Sequence, residues 1–328
     1  AEILIEQVLR GWIAPAMRAR PMKAAGSVLY PCDEGVIAAS PGLAPCSPRA
    51  ASWILAATIL GSSLAFIDGT VVNVALPALQ ASLSATVVDV QWVVEAYALL
   101  LAALLLVGGS LGDIYGRRRI YVTGVIVFAI ASAGCGLAAN VSQLIVARAV
   151  QGIGAALLVP GSLAIISASF REHDRGRAIG TWSGFTAMTT ALGPVLGGWL
   201  IEHGSWRWAF FINLPLAAVV VLLTLWRVPE SRPRAGGTPD WAGALLTVAG
   251  LGGIVFALIE SSKRGGKDPV VITALLGGVS ALIAFGAVES RSKAPLLPIA
   301  LFRSRNFVGT NLLTLFLYSA LSGMSFFF

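Results

Sequence analysis

GSLGDIYGRRRI, residues 109–120, lies between two long apolar runs and packs one carboxylate and three arginines into one short stretch. Asp113 follows Gly109 by four residues and precedes Gly116 by three, and Arg117, Arg118 and Arg119 come at once after it. A lipid-embedded helix does not hold that much charge, so a short water-exposed turn between two membrane spans is expected here. The arginines put that turn on the cytoplasmic side. The glycines allow a tight turn and let a neighbouring helix come close. Asp113 is expected at a helix start, accepting hydrogen bonds from free N–H groups where the helix dipole favours an anion. On charge alone, the stretch is a topogenic loop held inside by its arginines.

The composition agrees with a membrane setting. The chain has 328 residues, 56% hydrophobic and 12% charged, whereas soluble domains carry about 25% charged residues. At least eight apolar stretches approach the ~20 residues that cross a bilayer. The expected fold is therefore all-α and polytopic, with the lipid bilayer as its solvent. The net charge of +7 does not indicate nucleic acid. Thirteen of the basic residues fall in loops expected inside and five in the N-terminal tail, against four outside, which is the positive-inside pattern. Lys263, Arg264 and Lys267 are the main exceptions, in one outer loop.

Residues 1–50 are rich in Pro, Ala and Gly and read as a mostly disordered cytoplasmic tail, with a short helix near Ile3 to Ile13. Met22 is a candidate start, with residues 1–21 upstream of it. Cys32, Cys46 and Cys135 read as free thiols, and with only His173 and His203 elsewhere no metal-ligand spacing is seen. No nucleophile–base pair or phosphate loop is present either, so an enzyme is not expected.

Six spans are expected over 51–227, near Ala51–Pro77, Val90–Leu111 with Asp89 as N-cap, Ile120–Ala139, Val141–Phe170 with a kink at Pro160, Ala178–Ile201, and Trp206–Arg227. Arg171 to Arg177 is a charged inner loop, and Trp206, Arg207 and Trp208 form an interfacial belt. Residues 228–289 hold an inner loop with Arg232 and Arg234 and two further spans, Trp241–Glu260 and Val270–Val288, with Glu260 solvated at an outer helix end. Residues 290–328 hold a basic inner loop and a ninth span that starts near Phe307. Only one complete six-span half is present, so the chain is expected to be a C-terminally truncated fragment whose second half continues past Phe328.

Three charges fall inside spans. Asp68 is nine residues before Pro77, Glu95 five after Val90, and Arg148 seven after Val141. At 1.5 Å per residue, that is roughly 8–14 Å from the outer ends of their helices. Intramembrane ionisable groups mark functional sites by default. A cation beside acids favours their charged form and burial disfavours it, an opposition that suits a group gaining and losing a proton. The alternative is a structural Arg–carboxylate pair that only fixes the bundle. Gly193 and Gly197 share one helix face, where small residues permit close packing, and Pro194 interrupts the helix hydrogen bonding. Trp182, Phe185 and Met188 either line a pocket or face lipid and packing neighbours.

The pattern G-x-L-x-D-x-x-G-R-R, as Gly109, Leu111, Asp113, Gly116, Arg117 and Arg118, resembles the loop signature of the major facilitator superfamily. There the loop joins the second and third spans and acts as a cytoplasmic latch. Ile114 stands where the family often has a basic residue. Asp68, Thr70, Asn73 and Pro77 resemble the first-span signature of the drug:proton antiporters, and Arg148, Gln151, Gly152 and Gly154 the superfamily's fourth-span signature. Gly193, Pro194, Gly197 and Gly198, with Gly180 upstream, resemble the fifth-span signature of exporters, although Thr189 replaces a usual glycine. Pro239 to Gly243 resembles the opening of the extra pair of spans in fourteen-span members.

The resemblance implies a multidrug efflux antiporter of the inner cell membrane, N-terminus cytoplasmic, exchanging protons for small amphipathic or lipophilic compounds by alternating access. Asp68, with Glu95, would carry the proton and Arg148 would tune it. No cofactor is implied, the drive being a proton gradient, and a periplasmic adaptor is left unassigned. A metabolite exporter and a non-transporting sensor or scaffold are the alternatives.

Overall fold

A computed structural model of the chain describes residues 48–232, 240–292, 296–297 and 299–327. The expected helix at Ile3 to Ile13, Met22, Cys32, Cys46, Arg234 and Pro239 lie outside those residues. The described elements are α1 (Pro48–Leu83), α2 (Val87–Tyr115), α3 (Arg117–Leu137), α4 (Val141–Ser169), α5 (Glu172–His203), α6 (Trp208–Phe211), α7 (Asn213–Arg227), α8 (Trp241–Arg264), α9 (Pro269–Glu289), a 3-10 turn (Ile299–Arg303) and α10 (Arg305–Phe327). Eight spans, counting α6 and α7 as one, are long and apolar enough to cross a membrane.

α4 packs along α2 on one side and α3 on the other, and α1 packs along α5 while touching α4 and α7. Glycines allow this close approach. A Cβ on Gly152 would stand 2.5 Å from Tyr97 O of α2, and one on Gly154 would stand 2.5 Å from Phe128 N of α3. The core between them holds Tyr121, Phe128, Leu64 and Leu158, all fully buried. Several of its polar atoms find partners across helices. Ser62 Oγ donates to Ser162 Oγ (2.8 Å), Trp182 Nε1 donates to Ser62 Oγ (3.1 Å), and Tyr121 Oη donates to Ala57 O (2.8 Å). Trp182 is thus a packing residue, whereas Met188 is 63% exposed. α8 and α9 form a hairpin whose α8 leans on α2 through Trp92 and Phe256, ring centroids 6.0 Å apart.

The helices outrun the expected spans. α1 continues through Pro77 to Leu83, and α5 begins at Glu172, so most of the supposed loop 171–177 is helical. Thr86, not Asp89, is the N-cap of α2. Thr86 Oγ1 accepts from Asp89 N (3.2 Å) while Asp89 Oδ2 accepts from Thr86 N (2.9 Å), a reciprocal capping box. Asn140 caps α4 by accepting from Gln143 N at 2.9 Å. Trp206 is no surface belt residue. It is buried, with Arg207 stacked 4.5 Å from its ring and donating to Gly136 O and Ala138 O at the end of α3. Only Trp208 stays outside, at 54% exposure. Glu260 is not solvated either. It is buried, and its Oε2 accepts from Arg264 Nε at 2.9 Å, one turn along α8.

The largest correction falls on residues 109–120. Gly109 to Tyr115 is the last part of α2 and Arg117 opens α3, so the turn is one residue wide. Gly116 is that residue, with φ +110°, a conformation L side chains rarely adopt. Asp113 therefore sits at a helix end, not a start, and its Oδ1 accepts from Arg117 Nε (3.0 Å) across the break.

Candidate functional site

Asp68 and Arg148 meet inside the bundle, at 0% and 1% exposure. Arg148 Nη1 donates to Asp68 Oδ2 at 2.5 Å. One turn further along α4, Gln151 closes a triangle. Its Nε2 donates to Asp68 Oδ1 (2.8 Å) and its Oε1 accepts from Arg148 Nη1 (2.8 Å). α7 contributes Asn213, whose Nδ2 donates to Asp68 Oδ1 (2.9 Å) and to Ser132 Oγ of α3 (3.0 Å). Ser132 Oγ in turn donates to Phe210 O at 2.9 Å. On the far side, Arg148 Nε donates to Val93 O of α2 (3.1 Å), and its guanidinium lies 4.2 Å from the Tyr97 ring centroid. Cys135 Sγ is 3.5 Å from Gln151 Oε1. α4 and α7 thus supply the donors to the carboxylate of α1, and α2 and α3 hold those donors in turn. Deleting one partner of a buried ion pair costs about 3–5 kcal/mol because the other charge is stranded.

Glu95 does not join this cluster. It is half-buried and makes no hydrogen bond or ion pair among the described residues. The reason is angular. Val93 and Tyr97 face Arg148, and Glu95 is two residues from each, about 200° around the helix at 3.6 residues per turn. Similar depth did not imply the same face.

The remaining motif residues divide. Gln151 touches Asp68, whereas Gly152 and Gly154 set the closeness of α4 to its neighbours. Thr70 Oγ1 turns back to Ile67 O (3.0 Å), and Asn73 and Pro77 are exposed, away from Asp68. A Cβ on Gly193 would overlap Thr70 Oγ1, and one on Gly197 would stand 3.2 Å from Val71 O. The fifth-span motif is therefore a seam between α5 and α1, with Pro194 inside α5. Gly180 and Gly198 meet nothing within 4 Å and lie outside that seam. Thr189, where a glycine was usual, donates to Ser63 Oγ at 3.1 Å.

At the basic end of the bundle, Leu111 is half-buried in α2 and Arg117 Nη1 donates to Ala164 O of α4 (3.3 Å). A residue absent from the motif organises this end. Glu230, beyond α7, accepts from Arg118 N (3.0 Å) and lies 3.9 Å from Arg118 Nε and 3.6 Å from Arg119 Nε. Arg117 N donates to Ser231 O (3.1 Å), and Arg232 Nη2 donates to Tyr115 O (2.9 Å). Asn213 and Glu230 are the members of these two networks that sequence reasoning missed. The only signal for Asn213 was a lone amide inside an apolar span, and for Glu230 an acid two residues from Arg232 in a basic inner loop.

Eight described spans long and apolar enough to cross a membrane, with a fully buried charge pair shared among them, make a polytopic membrane bundle. Residues 58–328 match the Major Facilitator Superfamily, and the chain belongs to that family. It is 39% identical over 254 residues to the multidrug resistance protein Stp of Mycobacterium tuberculosis, covering 77% of this chain and 47% of the relative. It is 36% identical to the methylenomycin A resistance protein of Bacillus subtilis, covering 83% and 59%, and 41% identical to the puromycin resistance protein of Streptomyces alboniger, covering 75% and 49%. The chain spans about half the length of the curated relatives it matches. The crystal structure of the peptide transporter POT with sulfate superposes with TM-score 0.56 at 15% identity, over 80% of this chain and 56% of that one, which shows the fold alone.

Proposed function

We propose that the protein is an exporter of small amphipathic or lipophilic compounds, driven by protons moving the other way, in the fourteen-span drug:proton antiporter branch of its family. The single observation that carries this reading is the buried Asp68–Arg148 pair, an ionisable couple inside a membrane bundle, where such groups mark ion and proton pathways by default. The names of the relatives, which speak of resistance to drugs and antibiotics, support efflux as the direction. The α8–α9 hairpin after the first six spans supports the fourteen-span branch.

In this mechanism Asp68 takes a proton from the outer side as substrate leaves, and releases it inward as substrate binds. Arg148 stabilises the carboxylate between those events. The latch at Asp113, Gly116 and the arginines holds one state of alternating access at the cytoplasmic side of the inner membrane. The test is a pH jump on vesicles holding the full-length protein, with proton flux followed on adding lipophilic cations and weak acids. Substrate-dependent proton flux lost in Asp68→Asn supports antiport. Undiminished proton-driven efflux in Asp68→Asn sinks it. A metabolite exporter on the same fold would respond to none of the panel while still needing Asp68 for its own cargo.

A further inference from the structure

Asp68 as a carboxylate can only accept hydrogen bonds, and three side chains donate to it: Arg148 to Oδ2, and Gln151 and Asn213 together to Oδ1. A protonated Asp68 gains an O–H that must itself donate, in a site closed to bulk water. One of the three neighbours must then turn from donor to acceptor. Arg148 has no acceptor to offer. Gln151 has one, but its Oε1 already accepts from Arg148 Nη1 at 2.8 Å and Cys135 Sγ at 3.5 Å, so rotating that amide would set its NH₂ against the guanidinium. Asn213 differs. Its amide faces only Asp68 and Ser132, and a hydroxyl can receive or give.

We propose that Asn213, with Ser132 behind it, is the positioning residue that reverses its hydrogen bonds when Asp68 binds a proton. This rests on the reading of Asp68 as the proton carrier. A proton arriving through water bonds to Asp68 Oδ1. The Asn213 amide rotates by half a turn, so its carbonyl accepts from the new O–H. Ser132 then swings its hydroxyl from Phe210 O to the Asn213 carbonyl. Release runs the sequence backwards and returns the proton to water. Arg148 need not leave, because Val93 O, Gln151 Oε1 and the Tyr97 ring still hold it. The other titratable groups facing Asp68 are Tyr97 from α2 and Cys135 from α3. α5 places its ionisable residues in its first two turns and its last, and Arg207, like Arg148, has no acceptor to offer, so neither supplies a competing acceptor.

The reversal gives α7 a distinct link to the charge state. Asn213 is the first residue of α7, and α6 and α7 are joined through Ile212 alone. Two states of one amide are thus two ways of fastening the sixth span to the first.

The experiment is infrared pH-difference spectroscopy on the full-length protein in lipid vesicles, with side-chain amides of asparagine labelled with carbon-13. Its probe is the proton, so no substrate need be known. The expected spectrum has a carboxylic-acid band at low pH that Asp68→Asn removes. It also has a labelled asparagine carbonyl band that shifts in step with it and is lost in both Asp68→Asn and Asn213→Ser. In Asn213→Leu the acid band should move to the position of a free carboxyl, while in Asn213→Ser, whose hydroxyl also gives and receives, it should stay hydrogen-bonded. An Asp68 band with no accompanying asparagine band overturns the assignment of Asn213 and leaves the antiport reading standing. No Asp68 band at all removes both.

Discussion

Glu230 stands over Gly116 so closely that a Cβ on the glycine would be 2.7 Å from Glu230 Oε1. The same oxygen accepts from Arg118 N, in the first turn of α3. The acid expected at that helix start therefore comes from 112 residues further along the chain, not from Asp113. The helix dipole and the two flanking arginines favour it there.

Gly116→Ala should combine backbone strain with a steric clash, and strained non-glycine backbone of this kind costs about 1–3 kcal/mol. The thermal midpoint of the purified protein should fall. Introduced into Glu230→Ala, where the clash is already gone, Gly116→Ala should cost less than in the wild type but still lower the midpoint, because the strain remains. No further fall relative to Glu230→Ala alone would mean the positive φ does not matter.

Glu230→Gln should retain the contact to Arg118 N through its carbonyl oxygen while losing the charge opposite Arg118 and Arg119. Glu230→Ala loses both, and an absent cap typically costs about 1 kcal/mol. Transport and melting should therefore rank wild type, Glu230→Gln, Glu230→Ala. Equal behaviour of the two variants would assign the whole effect to charge.

Arg148→Leu should be among the most destabilising single changes, on the order of 3–5 kcal/mol, since it leaves a buried carboxylate without its cation. Arg148→Lys should recover little. An ammonium on a flexible stem cannot serve Asp68, Gln151 and Val93 O at once as a guanidinium does. Glu95→Gln should leave melting within about 0.5 kcal/mol, as substitutions away from such contacts usually do. Detergent-melting curves of the three variants decide this.

The fifth-span motif should split under alanine substitution. Gly193→Ala and Gly197→Ala press on Thr70 and on the backbone of Val71, whereas Gly180→Ala and Gly198→Ala meet open space. Overpacking typically costs about 1–3 kcal/mol, so the first pair should lose stability and transport and the second pair should lose neither. A uniform loss across all four would mean that the motif acts through something other than the α1–α5 seam.

The spans, their order and the coupling of Asp68 to Arg148 were legible in the sequence because each depends on local composition or on charges that hydrocarbon does not tolerate alone, whereas Gln151 was legible only as a motif residue and not as a partner of Asp68. Asn213 was not, since an amide in a span is cheap enough to pass unnoticed, and its partner is 145 residues away. Glu95 misled for the opposite reason. Depth can be counted along a helix, but facing depends on which side the neighbours take. The extent of α2 was missed because charges in its last turn read as a water-exposed turn, whereas Asp113 is held in the helix by Arg117 one turn on. Such a pair hides its charge from a rule based on counting.

The joint at Gly116 leaves no slack. The stretch around Gly265 and Gly266, where an added side chain meets open space, can take up an extra residue. At Gly116 one extra residue would turn every following side chain of α3 by about 100°. Tyr121, Phe128, Ser132 and Cys135 would all leave their places together. Insertions and deletions here are thus not local events but a change of register for a whole span. The length of this joint is as much a specified quantity as any side chain in the bundle.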